Sequence, residues 1–343
     1  MNLAAPDRPN VLVTSAARKV LLVRAFREAL EHCAGDAGPG TGAAAIPGRV
    51  IAADVSPLAA ALYEADEARL IPRSDDPAFV EALLRLCEHD RIGLLVPTRD
   101  EELPVLAQAR DRFAAAGTAV LVASPDAVET CRDKRAFAAA VTAAGLTVPV
   151  VYPDPTAARF PAFVKPRSGK GGRGAAKAID ASELAAAIAT IGGDVLIQAF
   201  VEAPEFTIDV FLDFDGRPIS CVPRERISVV AGESVVGRTV RDAALSDAAI
   251  RLCVAIGLVG HVTVQAFRNA TEISFIEINP RYGGAANLGF AAGAPTPEFA
   301  IRAARGEHLE PRLDDYEAGL YLFRHSADLF VREADLLPHE TNG

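Results

Sequence analysis

Apolar residues in this chain come in short runs, and the spacing of those runs changes along its length. NVLVT at residues 10–14 is a compact β-rich run. Ser15 then stands where it can cap a helix whose apolar positions Val20, Val23, Phe26 and Leu30 recur close to the helical period. A Gly/Ala/Pro-rich connection over 35–48 carries no periodicity, and VIAA at 50–53 reads as a second strand ending at Asp54. Residues 58–68, 78–89 and 105–116 read as helices around strands at 92–96 and 119–122. Such alternation builds an open, Rossmann-like parallel sheet flanked by helices over residues 1–125.

From residue 126 the pattern shifts toward strand pairs. Asp133 and Lys134 precede a helical run over 136–144 that Gly145 stops. FVKP at 163–166 is a strand carrying Lys165, SGKGGRG at 168–174 is a glycine-rich loop, and a strand resumes over 175–179. A helix over 182–191 leads to the continuous apolar strand VLIQAFV at 195–201, which turns through Glu205 into FTIDVFL at 206–212. Residues 220–230 form a strand and 247–256 a helix. HVTVQAF at 261–267 is the antiparallel partner of ISFIEIN at 273–279, a helix follows over 296–305, and GLYLF at 319–323 is an edge strand. The whole reads as mixed α/β and α+β.

Bulk properties narrow the function classes. The 343 residues are half hydrophobic, enough for two or three domains. A net charge of −10 argues against a nucleic-acid partner. Cys33, Cys87, Cys131, Cys221 and Cys253 are odd in number and widely spread, which reads as reduced, mostly buried thiols rather than a disulfide framework or zinc site. No apolar run reaches the ~18–20 residues of a membrane span, so the expectation is a cytoplasmic protein with no membrane partner.

Candidate chemistry concentrates at residues 273–284. Glu277 and Asn279, two apart on a strand, point the same way, and a hard cation such as Mg²⁺ would offset the cost of a carboxylate among apolar neighbours. Pro280 ends the ladder and throws Arg281 and the Gly283–Gly284 turn past the strand. A core strand with one surface Glu is the competing reading. With a turn near Thr271, Gln265 lies opposite Glu277. The glycines of SGKGGRG allow close backbone approach to phosphate oxygens beside Lys170 and Arg173, although the spacing fails the Walker pattern. Asp54 invites an NAD-ribose reading, but the turn TSAARK lacks the glycines of a dinucleotide fingerprint. Residues 97–102 follow a strand where ligands bind in open α/β sheets, or else cap the next helix. Glu205 reads either as a ribose ligand or as a turn carboxylate. Arg224 and Arg226 share a strand face and, with Arg241 and Arg281, could make an anion site; solvated pairing with Glu225 or Glu233 is the alternative. His261 reads as structural.

Taken in order, Asp133–Lys134, FVKP, SGKGGRG, residues 198–205 and residues 277–281 resemble the ATP-grasp superfamily, most closely the branch similar to the carbamoyl-phosphate synthetase large subunit. The resemblance implies a pre-ATP-grasp domain at 1–125, a central and lid subdomain at 126–197 and a C-terminal catalytic subdomain at 198–343. It implies ATP and Mg²⁺ as cofactors. Lys134 and Lys165 would hold phosphates, and Ser168, Gly169, Gly171 and Gly172 would belong to the lid loop. Gln198, Ala199, Phe200 and Val201 would form the adenine hinge, where Glu is the commoner leader, and Glu205 would bind ribose. Gln265, Glu277 and Asn279 would bind magnesium, and Arg281 would stabilise an acyl-phosphate. The implied activity is ATP-dependent carboxylate–amine ligation. Bicarbonate activation, a non-catalytic nucleotide-binding module and an NAD-dependent oxidoreductase are the other readings. Arg224, Arg226, Arg241, Gly283 and Gly284 point to small anionic or amino-acid substrates, and base rates favour a homodimer through the α/β halves.

Overall fold

The computed structural model describes residues 8–35, 48–167 and 174–337. The first layer contains β1 (Asn10–Thr14), α1 (Val20–Gly35), β2 (Val50–Asp54), β3 (Glu67–Leu70), α2 (Phe79–His89), β4 (Ile92–Pro97), α3 (Leu103–Ala115) and β5 (Ala119–Val120). Its parallel sheet has the order β3-β2-β1-β4-β5. Strands β1, β2 and β4 are buried along their whole length, which is why they read as unbroken apolar runs. The chain winds outward from β1 to β3, then crosses to the other side of β1 with β4. That reversal opens a crevice at the carboxyl ends of β1 and β4.

Helices α4 (Pro125–Arg132) and α5 (Lys134–Ala143) lead into a small lobe of β6 (Val151–Tyr152), β7 (Ala162–Pro166), β8 (Ala176–Ala178), α6 (Ala181–Ile191) and β9 (Val195–Ala199). Its antiparallel sheet has the order β6-β9-β7-β8. The remainder is β10 (Glu205–Leu212), β11 (Pro218–Val230), β12 (Glu233–Thr239), α7 (Ala243–Ile256), β13 (Gly260–Arg268), β14 (Ile273–Asn279), α8 (Asn287–Ala291), α9 (Thr296–Ala304) and β15 (Tyr321–Phe323). These strands form an antiparallel sheet ordered β14-β13-β10-β11-β12-β15, with β15 at its edge.

The two larger sheets share their cores. Leu12, Phe79 and Leu95 of the parallel layer lie in one apolar cluster with Ile208, Val262 and Phe275 of the antiparallel sheet. Phe26 of α1 likewise joins Phe211, Tyr282 and Phe299. The small lobe has a core of its own built on Val164, Ala178, Leu184 and Ile197.

Several local expectations change. Residues 58–68 do not form a helix: a short 3-10 turn at Ala60–Tyr63 gives way to β3, whose entry is held by Asp66 accepting from the Val50 amide at 2.8 Å. Ser15 does not cap α1. It adopts a φ of 49° and gives its hydroxyl to Glu102 instead, and the helix begins at Val20. Helix α4 carried its own signal, with Ser124 accepting from the Ala127 amide and Pro125 in the first turn. Strand β9 runs through residue 197 to Ala199, so the small lobe includes Gln198. All five cysteines are free, with Cys131 the least buried. Among the described residues no helix is long and apolar enough to cross a membrane.

Candidate active site

Strands β13 and β14 pair so that Gln265 faces Glu277 and Thr263 faces Asn279. The strand period of two therefore brings the three side chains together on one face. Asn279 donates from Nδ2 to Glu277 Oε1 at 3.1 Å. With its amide turned to satisfy both neighbours, Gln265 donates to the same oxygen at 3.0 Å and accepts from Arg226 Nη1 at 3.0 Å. Arg226 lies 3.2 Å from the Glu205 carboxylate. Burial pushes the Glu205 carboxyl up; Arg226 draws it down, and Glu277 adds to the rise. Glu205, at the start of β10, therefore belongs to this same cluster.

Two lysines face Glu277 from across the lobe junction. Lys165 on β7 is buried, and its ammonium is pushed down to about 8 by burial, with Lys134 lowering it further and Glu277 opposing. Lys134, the first residue of α5, is lowered as well, again chiefly by burial, while Glu277 and Asp133 oppose. Its Nζ donates to the Arg167 carbonyl at 3.2 Å. Asp133 caps α5 by accepting from the Arg135 and Ala136 amides, and it also pairs with Arg167, whose Nη1 reaches Asp194 at 3.0 Å. The last residue before the glycine-rich loop is thus tied to the helix that carries Lys134. Ser168, Gly169, Lys170, Gly171, Gly172 and Arg173 lie outside the described residues.

Gln198 is buried on β9 and lines a cleft with Lys134, Lys165, Leu196 and Phe275. The hinge differs from expectation in its backbone. The Ala199 amide is taken by the Val150 carbonyl at 2.8 Å and the Phe200 amide by Pro161 at 3.2 Å, so neither is available to read a base edge. The Phe200 ring lies under the Lys177 ammonium at 4.1 Å, and Val201 follows at the exit of the strand.

Arg281 crosses to the parallel layer. Its Nε and Nη2 grip the Asp100 carboxylate at 2.6 and 2.7 Å, and Nη2 also approaches Asn279 Oδ1 at 3.4 Å. Burial works against the guanidinium charge, but Asp100 outweighs it and the pKa is raised. The turn after β4 thus serves both readings. Asp100 meets the site, while buried Glu102 accepts from the Thr98 and Arg99 amides at 2.6 and 2.9 Å and stabilises the turn. Asp54 is used up too, accepting from the Ala17 and Ser56 amides at 2.8 and 3.1 Å, which leaves it unfit for a ribose.

The arginine cluster expected from the sequence does not assemble. Arg224 is buried and gives two hydrogen bonds to Asp209 at 2.7 and 2.9 Å, while His261 Nε2 lies 3.5 Å from the same carboxylate. Burial opposes the Asp209 charge, yet Arg224 and His261 hold its carboxyl well below the usual range. His261 also bonds Thr296 at 3.1 Å and stacks on Tyr282 at 4.2 Å, a structural role. Arg241 bonds the carbonyls of Asp314 and Tyr316 at 2.9 Å each, away from the site. Only Arg226 and Arg281 of the four reach the Glu277 neighbourhood. Gly283 packs against Thr263, where an added Cβ would come within 2.9 Å of the hydroxyl, and Gly284 faces Arg324 and Glu233.

One carboxylate and two amides make an oxygen-rich, weakly charged donor set. Among the described residues no group of three or more His, Cys, Asp or Glu side chains could hold a metal by itself. The set fits Mg²⁺, which keeps several waters and takes phosphate oxygens, once the two amides turn their oxygens toward it. The ammonium groups of buried Lys165 and half-buried Lys134 suit a polyphosphate in the same way.

Comparison with known proteins agrees with this geometry. Residues 11–121 match the family model for the PylC-like N-terminal domain, and residues 131–285 match the ATP-grasp domain model. The carbamoyl phosphate synthase large chain of Vibrio parahaemolyticus is 27% identical over 263 residues, 68% of this chain and 24% of that protein. The chain thus spans about a quarter of the length of the curated relatives it matches. The biotin carboxylase domain of Hydrogenobacter thermophilus 2-oxoglutarate carboxylase, crystallised with MgADP, ADP and bicarbonate, superposes with a TM-score of 0.70 at 19% identity, covering 91% of this chain and 73% of that one. N5-carboxyaminoimidazole synthetase from Staphylococcus aureus, in complex with ADP, gives 0.70 at 14% identity, covering 90% and 81%. L-amino acid ligase from Bacillus licheniformis gives 0.66 at 17%, covering 88% and 75%. Residues 131–285 thus carry an ATP-grasp domain, set behind a PylC-like N-terminal domain at residues 11–121.

Proposed function

We propose that this chain is a cytoplasmic carboxylate–amine ligase that activates a small carboxylate as an acyl-phosphate, passes it to an amine and releases ADP and phosphate. The observation that carries the reading is Lys165, whose ammonium is buried in the lobe junction facing Glu277, with Lys134 beside it. Phosphate oxygens bound there would stabilise ammonium charge that burial disfavours.

In this reading Lys134 and Lys165 bind the β- and γ-phosphates, the cleft beside Gln198 takes the adenine, and Glu205 takes the ribose. Gln265, Glu277 and Asn279 would hold Mg²⁺, which would supply charge neutralisation for the phosphates. The substrate carboxylate attacks the γ-phosphorus, ADP leaves, and the amine displaces phosphate from the acyl carbon. Charge spreads over the transferring phosphoryl oxygens, and Lys165 and Arg281 stabilise it more in the transition state than in the ground state. No side-chain nucleophile takes part.

Glu277→Gln should abolish ADP release, by a factor of about 10³ or more for loss of a group acting on the transferring phosphoryl, while the far-UV spectrum and melting midpoint stay near the parent's. Retained turnover in that variant would sink the assignment. A second reading, activation of bicarbonate, is favoured by the fold shared with a carboxylase domain crystallised with that anion. ADP release that depends on bicarbonate and needs no other carboxylate would select it.

A further inference from the structure

A second charged cluster shares Arg281 with the site. Lys19, half-buried at the start of α1, is pushed down to about 8, first by burial and then by the guanidiniums of Arg281 and Arg324, with Glu233 and Asp100 opposing. Those four groups come from four places: the end of β14, the residue after β15, the start of β12 and the turn after β4. All four are already paired. Arg281 holds Asp100 at 2.6 Å, and Arg324 holds Glu233 and the Gly284 carbonyl. The Lys19 ammonium is the charged group of the cluster with no side-chain hydrogen bond or ion pair among the described residues.

The location is informative in its own right. Residues 15–19 and 98–102 leave the carboxyl ends of β1 and β4, adjacent strands at which the winding of the parallel sheet reverses, and open α/β sheets bind ligands in the crevice at such a point. The first of these turns is strained. Ser15 and Ala17 adopt φ of 49° and 41°, the left-handed region that non-glycine residues avoid. Two carboxylates hold it there: Glu102 accepts from the Ser15 hydroxyl at 3.0 Å and Asp54 from the Ala17 amide at 2.8 Å. The 16-residue helix α1 opens with no acidic residue in its first turn, so its positive end adds to the field at Lys19 rather than being offset.

We propose that this crevice is a carboxylate subsite, in which Lys19, backed by Arg324 and Arg281, holds the non-reacting carboxylate of an amino-acid substrate. The inference rests on the ligase reading above. Arg281 is the shared residue: both Glu277 and Lys19 lie within its electrostatic reach, so a small molecule anchored by Lys19 would lie near the phosphoryl group. A single ammonium without a side-chain partner suits a carboxylate.

The test is a thermal melt of the full chain against each of the twenty free amino acids, each amino acid's carboxamide and inorganic phosphate, with and without Mg·ADP. At least one amino acid should raise the midpoint while its carboxamide and phosphate do not. Lys19→Met should weaken that amino acid by tenfold or more and leave the Mg·ADP shift intact, which also reports that the variant is folded. Arg324→Gln should weaken it in the same direction. Binding to the parent should fall as pH rises past about 8 and Lys19 loses its proton, a dependence absent from Lys19→Met. The proposal is overturned if no amino acid binds the parent, if Lys19→Met binds like the parent, or if carboxamide or phosphate serves as well. Loss of the Mg·ADP shift in the parent would instead strike the ligase reading, and the titrations without nucleotide would still decide the subsite.

Discussion

Two charge clusters that draw on the large antiparallel sheet behave in opposite ways. Asp209 on β10, Arg224 on β11 and His261 on β13 form a closed set: the carboxylate receives two guanidinium bonds and an imidazole, and its charge is strongly favoured. Glu277 on β14, with Lys165 and Lys134 opposite, forms an open set in which the ammonium charge is disfavoured. Where the chain completes the compensation itself, the result is architecture. Where burial leaves a charge disfavoured, as at Lys165, a bound anion would complete the compensation.

Breaking the closed set should cost the most. Arg224→Met leaves Asp209 charged and buried without its main partner, a loss of about 3–5 kcal/mol, read by denaturant unfolding; the nucleotide-induced shift should persist in whatever remains folded. The open set should respond with the opposite sign. Lys165→Met removes a buried ammonium whose folded pKa is about 8 against an ordinary 10.5, so the unliganded protein should gain about 2–3 kcal/mol at pH 7 while losing its Mg·ADP shift. Between pH 8 and 10.5 the unfolded chain holds a proton at Lys165 that the folded chain has given up. Its contribution to parent stability therefore rises with pH across that window and should vanish in the variant. Equal stability of the two proteins at pH 7 would mean that the two clusters do not differ as described.

The smallest effect belongs to a residue in neither cluster. The Arg241 guanidinium bonds two carbonyls at 2.9 Å and packs on the Tyr316 ring at 4.9 Å. Arg241→Ala should change stability by about 1 kcal/mol or less and leave substrate KM unchanged. A raised KM would return Arg241 to the substrate site.

What could be read from the chain follows from the range of the signals. The pairing of Gln265 with Glu277 is a local matter, set by strand period and a turn at 269–272, and the sequence shows it directly. Lys165 is legible for the same reason, as one charge in an apolar strand. The i, i+2 spacing of Arg224 and Arg226 shows that they share a face but not what occupies it; Asp209, inside FTIDVFL, is the answer for Arg224, and strand pairing across the sheet supplies it. Lys19 was hidden more deeply. TSAARK drew notice for its missing glycines, yet Ser15 and Ala17 take left-handed conformations without them, and the partners of Lys19 lie 81 to more than 300 residues away. The helix expected over 58–68 failed because its last residues, from Glu67, enter β3, which completes the sheet edge beside β2.

The bond between Arg281 and Asp100 joins residues separated by 181 positions, across a boundary over which the apolar core is continuous. As units of inheritance, then, the parallel layer and the large antiparallel sheet are one. A gene rearrangement separating them near residue 124 would expose Phe275 and Phe79 together and strip Arg281 of its carboxylate. The small lobe, with its separate core, can vary away from Lys165 and Gln198 without disturbing that shared core. New acceptors are therefore more easily acquired by altering the turns around Lys19 than by replacing the layer that carries them.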